Sequence, residues 1–104
     1  MKVIAEFTII PIGVGTSLSR YVAACENILE EIGLEHELHA NGTNVEGEWD
    51  EVMAAIKQCH LKLHEMGVPR ISTTVRVGTR IDREQTMTDK IQSVRKKMQR
   101  KGER

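Results

Sequence analysis

The sequence predicts an α+β fold of ferredoxin-like type, a βαββαβ antiparallel sheet with an extra C-terminal helix. Three observations carry this. Stretches of period-two apolar alternation and stretches of helical period follow one another in the order β-α-β-β-α-β. Asn41-Gly42 lies between two adjacent alternating stretches, which marks a hairpin. Gly33 and Gly67 stand where the two longest helical stripes stop. Two right-handed crossovers and one hairpin then place both helices on one face of the sheet.

Each element has its own signal. From Lys2 to Ile10, Val3, Ala5, Phe7 and Ile9 alternate with Ile4, Glu6, Thr8 and Ile10, and β-branched residues dominate. Pro11 and Gly13 are expected to end this strand, because proline has no ladder donor and glycine permits a turn. Leu18, Tyr21, Val22, Cys25, Ile28, Leu29 and Ile32 then fall at helical spacings. Ser17 or Ser19 is expected to cap that helix. Leu34 to Ala40 alternates, and Thr43 to Gly47 returns after the Asn-Gly turn. A second helix carries Trp49, Val52, Met53, Ile56, Cys59, His60, Leu63 and Met66 on one face. Glu48, Asp50 and Glu51 sit at its start, where the dipole favours negative charge. Arg70 to Val77 alternates again. A last helix begins near Thr86, which forms a capping-box pattern with Asp89, and it carries Met87, Ile91, Val94 and Met98. Gly102 is expected to fray its end.

The bulk numbers agree with one soluble domain spanning residues 1–104. At 39% hydrophobic and 29% charged residues the chain is ordinary for a globular protein, which argues against disorder. Fifteen Lys and Arg balance fifteen Asp and Glu, so overall charge calls for neither a nucleic-acid nor a membrane partner. The distribution is uneven. No Lys or Arg lies between Arg20 and Lys57, whereas Lys90, Arg95, Lys96, Lys97, Arg100, Lys101 and Arg104 crowd the end. Such asymmetry fits an intermolecular contact or two solvated helix faces. No stretch is apolar enough to span a bilayer, no secretory pattern opens the chain, and Cys25 and Cys59 form no CxxC. The expectation is a cytoplasmic protein with free thiols.

No motif in the chain calls for catalysis. Gly13-Val14-Gly15-Thr16-Ser17 lies between a strand and a helix but lacks the lysine of a P-loop and the third glycine of a dinucleotide fingerprint. His60 and His64 are four apart on a helix, yet HExxH is missing and no third ligand is evident, so no metal is expected. The cysteines occupy apolar helix positions, where thiols are inert. The face of the sheet away from the helices is more informative. It should present Ile4, Glu6, Thr8 and Ile10, with Asn44 and Glu46, and with Ser72, Thr74 and Arg76. Hydroxyls with isolated carboxylates suit binding or dimerisation better than a purely solvated face. Gly42 and Gly47 bracket the strand that holds Thr43 and Glu46, leaving its backbone open to close approach.

Asn41-Gly42-Thr43-Asn44-Val45-Glu46-Gly47-Glu48-Trp49, with Pro11-Ile12-Gly13 and Arg76-Val77-Gly78-Thr79-Arg80-Ile81-Asp82, resembles the small thiamine-binding protein family. The resemblance covers nearly the whole chain, including Ser17, Ser19, Val22, Gly67, Arg70, Lys90 and Val94, and its most specific part is Thr-x-x-Glu-Gly. It implies ferredoxin-like subunits that dimerise and pair into tetramers, and binding of thiamine or its hydroxymethylpyrimidine part near subunit contacts, with no reaction and no cofactor. Many relatives carry Asp where this chain has Gly78, so a contact made by that Asp does not carry over. The resulting expectation is non-catalytic ligand binding on the open sheet face by Thr43, Glu46, Asn44, Glu6, Thr8 and Arg76, with Thr43 and Glu46 foremost. A carboxylate and a hydroxyl match the donor and acceptor edge of an aminopyrimidine. Three rivals remain. An RNA-binding module would need exposed aromatics on the central strands, and Phe7 faces the helices. An acylphosphatase-like enzyme would need an Arg in the first loop. An oligomeric scaffold whose sheet only dimerises is the alternative that stays open.

Overall fold

The computed structural model describes residues 1–102, with side chains as far as Met98. The expected charges at Arg100, Lys101 and Arg104 lie outside the described side chains. The elements run β1 (Lys2–Ile12), α1 (Ser19–Ile32), β2 (Glu35–His39), β3 (Gly42–Glu48), α2 (Trp49–Glu65), β4 (Arg70–Thr79) and α3 (Met87–Gly102). The sheet order is β2-β3-β1-β4 with every neighbour antiparallel, which is the ferredoxin-like topology. No helix among the described residues is long and apolar enough to cross a membrane.

Period-two alternation does its expected work in β1. Val3, Ala5 and Phe7 are buried against Leu29 of α1 and Val52, Ala55 and Ile56 of α2, with Val45 of β3 beside them. Tyr21, Cys25, Cys59, Leu63 and Val68 form a second cluster between the helices, and Ile9 packs against both clusters. Gly33 ends α1 in the left-handed conformation, its N–H bonded to the Leu29 and Glu30 carbonyls.

Several boundaries differ from expectation. β1 does not stop at Pro11 but continues to Ile12, pairing Pro11 with Ile71. Beyond Phe7 it has β4 as its sole neighbour, and a strand edge tolerates the missing donor. β4 likewise runs two residues beyond Val77 to Thr79. Neither Ser17 nor Ser19 caps α1; Leu18 holds that position without a side-chain bond. The hairpin loop is Ala40-Asn41, because His39 already pairs with Gly42. Gly42 has no positive φ, so it is not there for the turn. A Cβ at that position would lie 2.8 Å from the Phe7 carbonyl oxygen, so glycine lets the hairpin sit against β1.

The third helix alters the sheet face expected to be open. Thr86 and Asp89 form the reciprocal capping box, with Asp89 N–H donating to Thr86 Oγ1 at 3.0 Å and Thr86 N–H to Asp89 Oδ2 at 3.1 Å. Hydrogen bonding by the Thr86 backbone first, and then by its hydroxyl, holds the Asp89 carboxyl below the usual range. The first turn of α3 then lies over the open face. Met87 is buried there, while Val94 and Met98 are 59% and 67% exposed.

Candidate functional site

Strand pairing sorts the six candidate contacts onto two faces. Glu6 stands opposite Asn44 on one side and Arg76 on the other, so these three share the open face. Thr43 pairs with Phe7 and Leu38 and therefore faces the helices, where it is buried. The expectation that Thr43 and Glu46 act together is corrected. They are three residues apart in a strand of period two, and so point to opposite faces.

Glu46 is also already engaged. The residue is 8% exposed, and its carboxylate accepts the Met87 N–H at 3.1 Å, satisfying one of the unpaired donors at the start of α3. Glu46 thereby anchors the first turn of α3 to the sheet. Thr8 donates to the Asn41 carbonyl at 2.8 Å and so pins the hairpin to β1.

Thr43 reveals a cleft on the helix side. Because β1 outruns β3, the sheet leaves an unfilled corner beside Ile9 and Ile10, walled by α1 and roofed by the hairpin. The cleft has a volume of about 300 Å³ and is lined largely by apolar groups, among them Ile9, Leu18, Val22 and Leu38. Within it Thr43 Oγ1 donates to Glu26 Oε2 at 2.9 Å. Glu26 was missed by the sequence reading, although its position was a signal. It sits four residues after Val22 and three before Leu29, which places a half-buried carboxylate on the apolar stripe of α1.

His39 lies at the rim of the cleft. Asn41 N–H donates to its Nδ1 at 3.3 Å, so the neutral ring carries its proton on Nε2. That nitrogen is 3.1 Å from Glu6 Oε2 but is not aligned for a hydrogen bond. Cys25 borders the cleft as well. Its thiol is pushed up by the adjacent Cys59 and by burial, which keeps it protonated and unreactive.

The open face holds a second cavity, of about 420 Å³, between the sheet and α3. Glu6, Asn44 and Arg76 line it together with Ile4, Gly78, Met87, Lys90 and Ile91. The histidines of α2 serve the fold. His60 Nε2 is bonded to Thr73 Oγ1 at 2.6 Å, and His64 Nδ1 to the Val68 carbonyl at 2.7 Å.

Residues 5–95 match the family model described as thiamine-binding protein. The chain belongs to this family. It is 54% identical over 94 residues to UPF0045 protein sll0230 of Synechocystis, covering 90% of this chain and 78% of that one. UPF0045 protein ECM15 of Eremothecium gossypii is 40% identical, with 94% of each chain covered. The crystal structure of protein MJ1052 from Methanocaldococcus jannaschii superposes with a TM-score of 0.83 at 34% identity, over 89% of this chain and 95% of that one. At 20% identity, protein TM0486 of Thermotoga maritima shows the same fold with a TM-score of 0.77, over 90% of this chain and 99% of that one.

Proposed function

We propose that the protein binds thiamine or a related hydroxymethylpyrimidine without transforming it, in the cleft between α1 and the hairpin. The observation that supports this reading is the Glu26–Thr43 pair, a carboxylate and a hydroxyl set in a largely apolar pocket. A site with few, well-placed polar groups among apolar walls is the general form of a small-molecule pocket. An aminopyrimidine donates its amino hydrogens to the carboxylate, and Thr43 turns to its ring nitrogen. Ile9, Leu18 and Val22 take the ring faces. The thiazolium charge fits as well, because Glu26 is the one carboxylate in the lining and no Lys or Arg opposes it. At an effective dielectric of about 20, a unit charge about 4 Å away contributes roughly 4 kcal/mol before desolvation.

The open face is the second reading, favoured by the meeting of Glu6, Asn44 and Arg76 in one cavity. There Glu6 is outweighed by Arg76 and Lys90, a balance that repels a cation. We further propose that the site lies near a subunit contact in a homo-oligomer, a dimer of dimers. Leu38 and Ile10, at the lip of the cleft, are 55% and 46% exposed, and a second copy seated on them would close it. The two free thiols fit a reducing compartment, and we place the protein in the cytoplasm.

Calorimetry tests the binding, on protein unfolded and refolded to remove any co-purified molecule. Thiamine and hydroxymethylpyrimidine should both give heat. Glu26→Gln should weaken binding by about tenfold or more, since a hydrogen bond to a charged group contributes roughly 1.5–3 kcal/mol. Thr43→Val should cost less. If Glu6→Gln abolishes binding and Glu26→Gln does not, the open face is the site. If neither compound gives heat at millimolar concentration, the scaffold reading replaces this one.

A further inference from the structure

We infer that the sheet face opposite the cleft carries a second site, for a small organic phosphate, centred on Gly78 and Lys90. The cavity under α3 adjoins another of about 450 Å³, and the two share Ile4, Gly78 and Lys90. Together they are lined by five cations, Lys2, Arg76, Arg80, Arg83 and Lys90, against two carboxylates, Glu6 and Glu84. This is the reverse of the cleft, where a carboxylate stands alone.

The cations differ in what already holds them. Arg80 is committed: it grips Asp82 with two bonds, of 2.6 and 2.9 Å, and Gln85 with a third of 2.7 Å, which closes the loop into α3. Among the described residues, Lys2, Arg76, Arg83 and Lys90 form no ion pair. Of the acids around them, Asp82 is taken by Arg80 and Asp89 caps α3, while Glu6 and Glu84 stay in the lining and are outnumbered by the cations. The Met87 and Asp89 amides at the start of α3 are likewise used, by Glu46 and Thr86. An anion would therefore be held by Lys2, Arg83 and Lys90, with Arg76 nearby under α3, and not by the helix end.

The shape selects the class of anion. Gly78 forms the common floor and has no side chain, so β4 backbone lies open between the two cavities. Ile4, Met87 and Ile91 supply an apolar wall on one side only. Phosphate would sit towards Lys2, Arg83 and Lys90, with its organic part under α3. A phosphomonoester with an apolar body uses both halves, whereas inorganic phosphate uses one. This site lies on the opposite face from the cleft and does not rest on the thiamine reading.

Titrations with phenyl phosphate and with inorganic phosphate, in phosphate-free buffer and followed by calorimetry, test the proposal. Phenyl phosphate should bind more tightly than inorganic phosphate, and raising salt from about 0.05 to 0.5 M should weaken both by screening. Lys90→Gln should weaken phenyl phosphate by about tenfold, the loss expected for one charge-assisted bond. Gly78→Asp should abolish binding. Its Cβ meets nothing closer than the Ile4 carbonyl at 3.6 Å, so the fold admits the substitution while the floor gains a negative charge. Thermal melting checks that the variant folds. If it does not, Lys90→Gln and Arg83→Gln decide. Failure of either phosphate to bind at about 10 mM, or binding that survives these substitutions, would overturn the site.

Discussion

Gly42 shows how one residue type serves different physical ends. The Asn-Gly pair correctly marks a hairpin, yet the glycine is required by contact and not by backbone angle. A side chain there meets the Phe7 carbonyl oxygen and Thr8 Oγ1, both at 2.8 Å. Backbone cannot yield as a side chain can, so Gly42→Ala should destabilise by about 1–3 kcal/mol, the usual cost of overpacking. Gly47→Ala should cost less, because its 2.7 Å contact is Leu34 Cδ1, the movable end of a side chain. Urea denaturation of the two variants checks the order, and equal midpoints would show that the hairpin shifts freely. Thr43 and Glu46 teach a related lesson. Their spacing alone puts them on opposite faces, whereas their partners, Glu26 and the Met87 amide, come from distant segments that no local pattern reveals.

At the scale of elements, packing decides what periodicity leaves open. The stripe of α2 includes His60, and its role is to tie that helix to β4 through Thr73. Burial first, and then the charge of nearby His64, hold His60 below its ordinary value of 6.5. With the folded value depressed, the unfolded chain binds the extra proton more readily. The stabilising effect is therefore full above about pH 6.5 and lost as pH falls through the lowered folded value. Stability by urea denaturation should decline from pH 7 towards pH 5, and His60→Gln should flatten that part of the slope. An unchanged slope would assign the pH dependence to other groups. α3 shows the other half of the argument. Its capping box is legible in Thr86 and Asp89, but its place over the sheet depends on Glu46, forty-one residues before Met87.

At the scale of the molecule, the unspent apolar surface points to assembly. Ile81 is 99% exposed, and Val94 and Met98 continue the α3 stripe beyond the part that packs. An acidic stretch from Glu26 to Glu51 and a basic one from Lys90 onward offer a complementary contact between copies. Light scattering at micromolar concentration should give a multiple of the 11.8 kDa chain mass, with salt shifting it downward. A monomer at both low and high salt would leave those side chains to some other partner.

Period-two and helical patterns, two stop glycines and one hairpin signal were enough to specify the ferredoxin-like fold, because each depends on neighbours close in sequence. They also sorted β1 correctly, with Val3, Ala5 and Phe7 inward and Ile4, Glu6 and Thr8 outward. Only the tertiary structure decided which polar groups meet. Glu26 reaches Thr43 across seventeen residues, and Lys2 shares a cavity with Lys90. Such juxtapositions are set by the length of strands and by where α3 comes to rest. Both follow from the packing of the whole chain, so no window of sequence contains them.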